Sequence, residues 1–198
     1  MADPVIRLSD AHLTLQGNAG PVPILRGLSL QVERGETVGL VGPSGSGKSS
    51  LLMLMGGLER ATGGLVQAMG QDLTALDEDA LARFRLSHMG VVFQSFHLIP
   101  TMTAHENVAT PLELAGAPDA FDRAAAELDR VGLGARRDHY PAQLSGGEQR
   151  QAIMDLLFGL RADHGATLVL VTHDPDLARR CDRVIRLADG RLAAEAAA

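Results

Sequence analysis

Three features of the sequence predict an α/β fold with a helical insertion. A glycine-rich loop near residue 42 joins a short apolar strand to a helical pattern, acidic and alanine-rich helical segments occupy the middle of the chain, and apolar strand patterns return near its end. A chain of 198 residues is long enough for one substantial core with a smaller inserted lobe, but it is short for two independent domains.

The composition is typical of an ordinary globular protein in a reducing compartment. Hydrophobic residues make up 45% of the chain, charged residues make up 21%, and the net charge is −6. This net negative charge argues against non-specific electrostatic binding of nucleic acid. Cys181 is the only cysteine, so an internal disulfide is excluded and we expect a cytoplasmic location.

No segment of the sequence has the pattern of a membrane anchor. The N-terminal residues MADPVIRLSD contain neither the basic nor the apolar region of a signal peptide. No stretch approaches the roughly 20 consecutive apolar residues that a membrane span needs. We therefore expect no direct membrane insertion, and any membrane role comes through a partner protein.

The first third of the chain predicts a strand, a loop and a helix. Leu28, Leu30 and Val32 alternate with polar residues, which indicates a half-buried strand. The segment TVGLVG, at 37–42, has the short apolar run of a strand inside a parallel sheet. After the glycines, apolar residues recur at helical spacing, at Leu51, Leu52, Met55 and Leu58.

The middle and the end of the chain differ in composition and in predicted secondary structure. Residues 71–140 are acidic and rich in alanine, and they predict a helical subdomain inserted between two parts of the core, 1–70 and 141–198. The second part predicts a helix near 148–162, an apolar strand TLVLV at 167–171, and a hairpin that turns at Asp189 and Gly190.

The glycine-rich loop has the sequence of a phosphate-binding loop. GPSGSGKS, at 42–49, matches the pattern G-x-x-x-x-G-K-[ST] and lies between a strand and a helix, as its mechanism requires. The glycines let backbone N–H groups face an anion, Lys48 reaches the β- and γ-phosphates, and the Ser49 hydroxyl binds Mg²⁺. The predicted nucleotide-binding residues here are Gly42, Pro43, Ser44, Gly45, Ser46, Gly47, Lys48, Ser49 and Ser50.

Three further segments indicate which class of nucleotide-binding protein this is. The absence of an Asn-Lys-x-Asp segment argues against a GTPase. VVFQ at 91–94, LSGGEQR at 144–150 and LVLVTHD at 168–174 follow the phosphate loop in that order. Together these motifs resemble the nucleotide-binding subunit of an ABC transporter. The resemblance implies a RecA-like P-loop NTPase core with an antiparallel β edge and an inserted helical subdomain, and it implies ATP and Mg²⁺ as cofactors.

The resemblance also assigns roles to residues outside the phosphate loop. Gln94 resembles the Q-loop glutamine, which contacts Mg²⁺ and the attacking water, and His173 resembles the switch histidine, which hydrogen-bonds the γ-phosphate. The signature residues Ser145, Gly146 and Gly147 precede a predicted helix, whose N-terminus favours an anion. In this family that anion is the γ-phosphate of ATP on a second subunit, so two subunits, here expected as a homodimer, form each complete site.

The expected partners and location follow from the same resemblance. The segments around the phosphate loop, at 91–108 and at 139–149, resemble the lipoprotein-releasing and macrolide-export branch. A subunit of that branch drives a separate integral-membrane permease and lies on the inner face of the cell membrane through that permease. No nucleic-acid partner is expected.

Two departures from the family pattern affect the predicted chemistry. Leu15 stands where the family has an aromatic residue that stacks on adenine, with His12 nearby. Between Arg150 and Gln151 the chain lacks a helix and a core strand ending in adjacent Asp and Glu, which support Mg²⁺ and polarise the attacking water. Asp174 does not replace them, because it belongs to the switch segment and Pro175 follows it instead of a glutamate.

Two functional hypotheses therefore remain, and a third is disfavoured. The first is an ATP-hydrolysing transporter subunit, and the second is a nucleotide-binding module that closes on ATP without cleaving it. A third, a DNA-repair ATPase with long coiled-coil arms, needs heptad repeats or a basic face, but residues 71–140 are too few and too acidic for either.

Overall fold

The computed structural model describes residues 4–91, 98–144, 158 and 165–197. Contacts divide the chain into two compact units, Met1–His88 with Leu160–Ala198, and Met89–Gly159. The first unit contains two β-sheets and the second is helical, so the described residues have the mixed α/β architecture that the sequence predicts.

An antiparallel sheet forms one part of the first unit. Its strands are β1 (Ile6–Gly17), β2 (Gly20–Val32), β4 (Gly63–Ala68) and β5 (Gln71–Asp72), in the order β2-β1-β4-β5. Inward positions such as Leu8, Leu30 and Val66 are buried, while their neighbours along each strand are exposed or half-buried. This alternation is the period-2 pattern of a sheet with one face against the core.

The second sheet, the core sheet, is mostly parallel. Its strands are β3 (Thr37–Val41), β6 (Leu168–Val171), β7 (Arg183–Ala188) and β8 (Arg191–Ala197), in the order β6-β3-β7-β8. Strand β3 pairs in parallel with both β6 and β7, and β8 returns antiparallel to β7. The predicted hairpin turn is confirmed, because Asp189 and Gly190 join β7 to β8 with positive φ angles of 48° and 70°.

Helix α1 (Lys48–Met55) follows the glycine-rich loop and packs against β2, β4 and β6. Leu51, Leu54 and Met55 are buried, which accounts for the predicted helical spacing. The helix ends before Leu58, however, because Gly56 caps it and Gly57 turns the chain with φ 63°. Leu58 is therefore exposed instead of belonging to the apolar stripe.

The second unit contains helices α3 (Ala104–Leu114) and α4 (Ala120–Arg130) and two short 3₁₀ turns, Gly134–Arg136 and Pro141–Gln143. The two helices pack together, and Ala109 and Ala124 are fully buried. The Asn107 amide holds the segment before α3: its Oδ1 accepts from the Ile99 N–H at 2.8 Å, and its Nδ2 donates to the carbonyls of Ile99, Met102 and Thr103.

Helix α2 (Glu78–His88) belongs to the first unit, although the sequence predicts a helical subdomain beginning at 71. The Arg85 guanidinium donates to the Gly57 carbonyl at 2.6 Å, and Leu81 and Phe84 are buried. These contacts tie α2 to the end of α1, so the compact units divide near residue 89. The helical character predicted for the middle of the chain is present in α2, α3 and α4.

A capping box starts α3 and lowers the pKa of Glu106. The Glu106 carboxylate accepts from the Thr103 N–H at 2.7 Å and from its hydroxyl at 2.9 Å, while the Thr103 hydroxyl accepts from the Glu106 N–H. The backbone hydrogen bond from Thr103 is the main cause of the lowered pKa, and the hydroxyl adds to it. The stability that this carboxylate contributes is therefore present above the ordinary glutamate pKa and is lost as the pH falls through the lowered one.

We expect Thr103→Ala to raise the pKa of Glu106 part of the way to its ordinary value, because the hydroxyl donor is lost and the backbone donor remains. An NMR titration of the Glu106 carboxyl carbon measures this change. Thr110→Ala, on the same helix, is the matched control, since the Thr110 hydroxyl donates to the backbone carbonyl of Glu106 and to the Met102 sulfur instead of to the Glu106 carboxylate. An unchanged pKa in Thr103→Ala would contradict the capping box as its cause.

Candidate nucleotide-binding site

The glycine-rich loop connects β3 to α1 through backbone conformations that favour glycine. Gly42, Gly45 and Gly47 have φ angles of 147°, 76° and 97°. A Cβ on Gly42 would lie 2.2 Å from the Leu187 carbonyl oxygen, and one on Gly47 would lie 2.8 Å from the Leu25 Cδ2 atom. The loop therefore runs close against β7 and β2, and only glycine fits at these two points.

The loop surrounds the ammonium group of Lys48. Lys48 is buried, and its Nζ donates to the carbonyls of Gly42 at 3.0 Å and Pro43 at 2.7 Å. It is also the only lysine in the sequence. A single buried ammonium at the N-terminus of a helix gives the loop a local positive charge in an acidic protein.

The remaining loop residues differ in exposure. Pro43, Ser44 and Gly45 are exposed, whereas Ser46 is buried and its N–H donates to the Pro43 carbonyl at 3.3 Å. On α1, Ser49 is exposed and Ser50 is half-buried. No acidic residue lies in the first turn of α1, so nothing there opposes an anion. The tip of the loop and the first turn of α1 together form an accessible surface of N–H and hydroxyl donors.

The parallel register brings His173 to the same edge of the core sheet as the loop. Leu40 of β3 lies beside Val171 of β6, and the Thr172 N–H donates to the Leu40 carbonyl at 3.2 Å. The segments that follow the two strands, beginning at Gly42 and at Thr172, therefore leave the sheet side by side. His173 is exposed there.

Asp174 caps the short helix α5 (Pro175–Arg179). Its carboxylate accepts from the Asp176 N–H at 2.8 Å, and its own N–H donates to the Thr172 hydroxyl at 3.0 Å. The carboxylate thus has a structural partner, which agrees with a place in the switch segment instead of a role in binding Mg²⁺. Thr172, which sequence reasoning did not single out, is buried and fixes the backbone on which His173 lies.

The hairpin turn between β7 and β8 is hydrogen-bonded to the glycine-rich loop. The Gly190 N–H donates to the Ser46 carbonyl at 3.3 Å, and the Arg26 N–H donates to the Gly190 carbonyl at 2.9 Å. A Cβ on Gly190 would lie 2.2 Å from the Ile24 carbonyl oxygen. The Asp-Gly pair predicts the turn, but nothing in the sequence signals that the turn contacts the loop.

The β1–β2 hairpin carries the residues considered for the nucleotide base. Leu15 and Val22 are cross-strand partners, and both are exposed. His12 is also on β1, where its Nε2 lies 3.2 Å from the Asp10 carboxylate. The hairpin therefore presents an aliphatic pair at the position where the sequence resemblance implies an aromatic ring, and β2 continues from it to Leu25, which contacts Gly47.

Several predicted site residues lie outside the described part of the chain. These are Gln94 and the signature residues Ser145, Gly146 and Gly147. Within the described residues, no group of three or more His, Cys, Asp or Glu side chains could hold a metal ion. The Ser49 hydroxyl is therefore the one predicted metal ligand whose position the structure gives.

Solved structures with a similar fold are ATP-binding cassettes. The dimeric cassette MJ0796, in a post-hydrolysis state with ADP and phosphate, has a TM-score of 0.89 and 31% identity, and the match covers 97% of this chain and 98% of that one. A second dimeric structure, described as a bacterial ABC transporter cassette, has a TM-score of 0.88 and 32% identity, with the same coverage. The predicted cassette fold is thereby confirmed.

Relatives of known description are ATP-binding proteins of transporters. YbbA of Escherichia coli K12, an uncharacterized ABC transporter ATP-binding protein, is 47% identical, and the match covers 87% of this chain and 90% of YbbA. The lipoprotein-releasing system ATP-binding protein LolD 2 of Caulobacter vibrioides is 41% identical over 97% of this chain and 98% of its own. The macrolide export ATP-binding/permease protein MacB of Escherichia coli K12 is 37% identical over 96% of this chain, which matches 34% of that longer protein.

Each of these alignments has more positions than this chain contributes residues to it. The alignment with YbbA has 204 positions but includes 87% of 198 residues, which leaves about 30 positions at which this chain has no residue. The alignment with LolD 2 has 223 positions, includes 97% of the chain and leaves a similar number. A shortfall of about 30 residues inside the matched region is of the size that the loss of one helix, one strand and their connections requires.

No helix in the described residues is long and apolar enough to cross a membrane. The model of the ABC transporter family matches residues 25–160, from strand β2 through the phosphate loop to the segment beyond the signature motif. This match covers more than half of the chain, and the relatives and the fold agree with it. The chain therefore belongs to the ABC transporter family, as an ATP-binding subunit of the ATPase type.

Proposed function

We propose that the chain binds ATP with Mg²⁺ at the phosphate loop and pairs with a second copy around the nucleotide to drive a separate membrane permease. The observation that carries this proposal is the β3–β6 register, which sets the loop and His173 at one edge of the core sheet. A phosphate held by the loop would then have the His173 imidazole on the neighbouring segment as a hydrogen-bond donor.

The residues of the loop have distinct tasks in this proposal. The loop amides and the N-terminus of α1 hold the phosphate chain, and Lys48 turns its ammonium from the carbonyls of Gly42 and Pro43 toward the β- and γ-phosphates. The exposed Ser49 hydroxyl supplies one Mg²⁺ ligand, and Gln94 supplies another. Mg²⁺, when bound, neutralises charge on the phosphates.

A second copy of the chain and a permease complete the proposed transporter. Ser145, Gly146 and Gly147 of one copy contact the γ-phosphate on the other, and the similarity to dimeric cassettes supports such a pair. The similarity to LolD 2 and MacB supports a permease of the lipoprotein-release or export type. The subunit then lies at the cytoplasmic face of the membrane and is held there by that permease.

A second candidate function is a module that binds ATP but does not hydrolyse it. The shortfall of about 30 residues against the relatives favours this alternative. Among the described residues near the loop, Asp174 is the carboxylate closest in sequence to His173, and it caps α5. Without a carboxylate beside the attacking water, a general base is missing from the reaction.

We expect Lys48→Ala to weaken ATP binding by about 10- to 100-fold, because charge-assisted hydrogen bonds to the phosphates contribute roughly 1.5–3 kcal/mol. Isothermal titration calorimetry measures the affinity. Because Lys48 is the only lysine, acetylation of its ε-amine and intact mass provide a second measurement, in which ATP should protect the wild-type protein. Equal ATP affinity in the two proteins would disprove the assignment.

Leu15→Tyr should tighten ATP binding by roughly 2- to 10-fold, since an aromatic contact contributes about 0.5–1.5 kcal/mol beyond area burial. The variant places a ring on the β1–β2 hairpin in place of the exposed aliphatic side chain. Inorganic pyrophosphate is the control ligand, because it has phosphates but no base, and its affinity should not change. If ATP and pyrophosphate respond equally, Leu15 does not face the base.

We expect phosphate release from the 198-residue chain to stay near background, even with a permease, while ATP binding persists. A version with a strand ending in Asp-Glu inserted after Arg150 should be about 10²–10⁴-fold faster, the usual contribution of a general base. Asp174→Asn in the original chain is a matched control that keeps the helix cap.

Similar turnover in the original and restored proteins would show that the catalytic carboxylate is elsewhere. A loss of turnover in Asp174→Asn would identify Asp174 as that group, against the structural role that its hydrogen bond indicates. Restored turnover with an inert Asp174→Asn variant would support the non-hydrolysing function of the chain as it stands.

A further inference from the structure

The turn between β7 and β8 lies between strand β2 and the phosphate loop. The Gly190 carbonyl accepts from the Arg26 N–H of β2 at 2.9 Å, and the Gly190 N–H donates to the Ser46 carbonyl of the loop at 3.3 Å. Gly190 also lies directly against β2, because a Cβ there would be 2.2 Å from the Ile24 carbonyl oxygen. The backbone of Gly190 therefore connects β2 to the loop.

The hydrogen bond from Gly190 fixes the direction of one peptide group in the loop. The Ser46 carbonyl and the Gly47 N–H belong to the same trans peptide, so they point in opposite directions. Because the Ser46 carbonyl points toward the turn, the Gly47 N–H points away from it. Gly47 precedes α1, and its N–H is the first of the four at the start of a helix that have no acceptor within the helix.

Strand β2 holds the same peptide group from a second side. A Cβ on Gly47 would lie 2.8 Å from the Leu25 Cδ2 atom and 3.2 Å from the Ile24 carbonyl oxygen. Gly47 itself has a φ of 97°, a conformation that favours glycine. The contact with β2 prevents the peptide from tilting toward that strand, and the bond from Gly190 prevents its carbonyl from turning away.

We propose that Gly190 is a positioning residue that aims the Gly47 N–H at the phosphate chain of the nucleotide. This inference rests on the proposed binding of nucleotide at the phosphate loop. Gly190 acts through the loop, since its own N–H and carbonyl are bonded to Ser46 and Arg26. Donation to the Ser46 carbonyl also polarises the peptide group, which makes the Gly47 N–H a stronger donor to an anion.

The turn between β4 and β5 offers a matched control for a substitution at Gly190. Its residues Met69 and Gly70 have φ angles of 50° and 78°, close to the 48° and 70° of Asp189 and Gly190. A Cβ on Gly70 meets no atom within 4 Å. Gly70→Ala therefore introduces the same kind of backbone strain as Gly190→Ala, but without a collision with a neighbouring strand.

The first test compares Gly190→Ala with Gly70→Ala by calorimetric titration with inorganic pyrophosphate, which has phosphates but no base. Gly190→Ala should bind pyrophosphate at least about 2- to 10-fold more weakly than wild type, the range that one hydrogen bond contributes. Gly70→Ala should bind like wild type. Thermal unfolding measures the strain that the two variants share, so a loss of affinity confined to Gly190→Ala is not a general loss of stability. Wild-type affinity in Gly190→Ala would overturn the proposal.

The second test removes the Gly190 N–H without adding a side chain, and it decides the question if Gly190→Ala does not fold. Cys181 is the only cysteine, so a synthetic peptide of residues 181–198 can be ligated to the preceding chain at that residue. An ester bond between Asp189 and Gly190 replaces the N–H by an oxygen atom. The ester protein should bind pyrophosphate about 2- to 10-fold more weakly than the ligated protein with the ordinary amide.

The amide of Gly47 reports the proposed aim directly. Its proton resonance should move downfield when pyrophosphate binds to the protein with the ordinary amide, because donation to an anion deshields the proton. At saturating pyrophosphate, the movement should be smaller in the ester protein. A movement of full size in the ester protein would show that the turn does not aim the Gly47 N–H, and it would overturn the proposal even where binding is weaker.

The outcomes for this inference and for the proposed function are distinguishable. If the wild-type protein binds neither ATP nor pyrophosphate, the proposed function fails and the positioning role of Gly190 fails with it. If wild type binds both ligands and the ester protein binds them equally well, nucleotide binding at the loop stands and the role assigned to Gly190 is wrong.

Discussion

The position of β3 between β6 and β7 is the constraint on which the site depends. Strand β3 is buried along most of its length, and both of its neighbours run parallel to it. The carboxyl ends of parallel strands share one edge, so the glycine-rich loop, the His173 segment and the end of β7 must leave the core together. The loop then has no room for side chains against β7, which is why Gly42 lies so close to the Leu187 carbonyl.

The loop also shows why part of this site could be predicted from sequence. Its chemistry comes from backbone N–H groups and one lysine, and the conformations that expose them require glycine at particular spacings. Such requirements are local, so the motif, the strand before it and the helix after it are all visible in the sequence. The Asp189–Gly190 turn was predictable for the same reason, since a tight hairpin needs positive φ angles at both residues.

Features that depend on distant contacts were not predictable. The end of α1 before Leu58 is set by Gly56 and Gly57, but helical spacing alone extends the pattern past them. Helix α2 joins the first unit through the bond from Arg85 to the Gly57 carbonyl, across 28 residues of sequence. The order β6-β3-β7-β8 of the described strands depends on pairing between distant segments, and an apolar run gives no information about which strands are its neighbours.

The departure from the family pattern after Arg150 bears on one half of the proposed chemistry. The phosphate loop and the His173 segment follow strands β3 and β6, whose parallel pairing sets them at one edge of the core sheet. The carboxylates that the family pattern supplies for Mg²⁺ and for the attacking water belong to a separate strand, and the alignments with YbbA and LolD 2 leave about 30 positions without a residue in this chain. Holding the phosphate chain and activating water therefore depend on different segments of the sequence, so binding can persist where water activation is reduced.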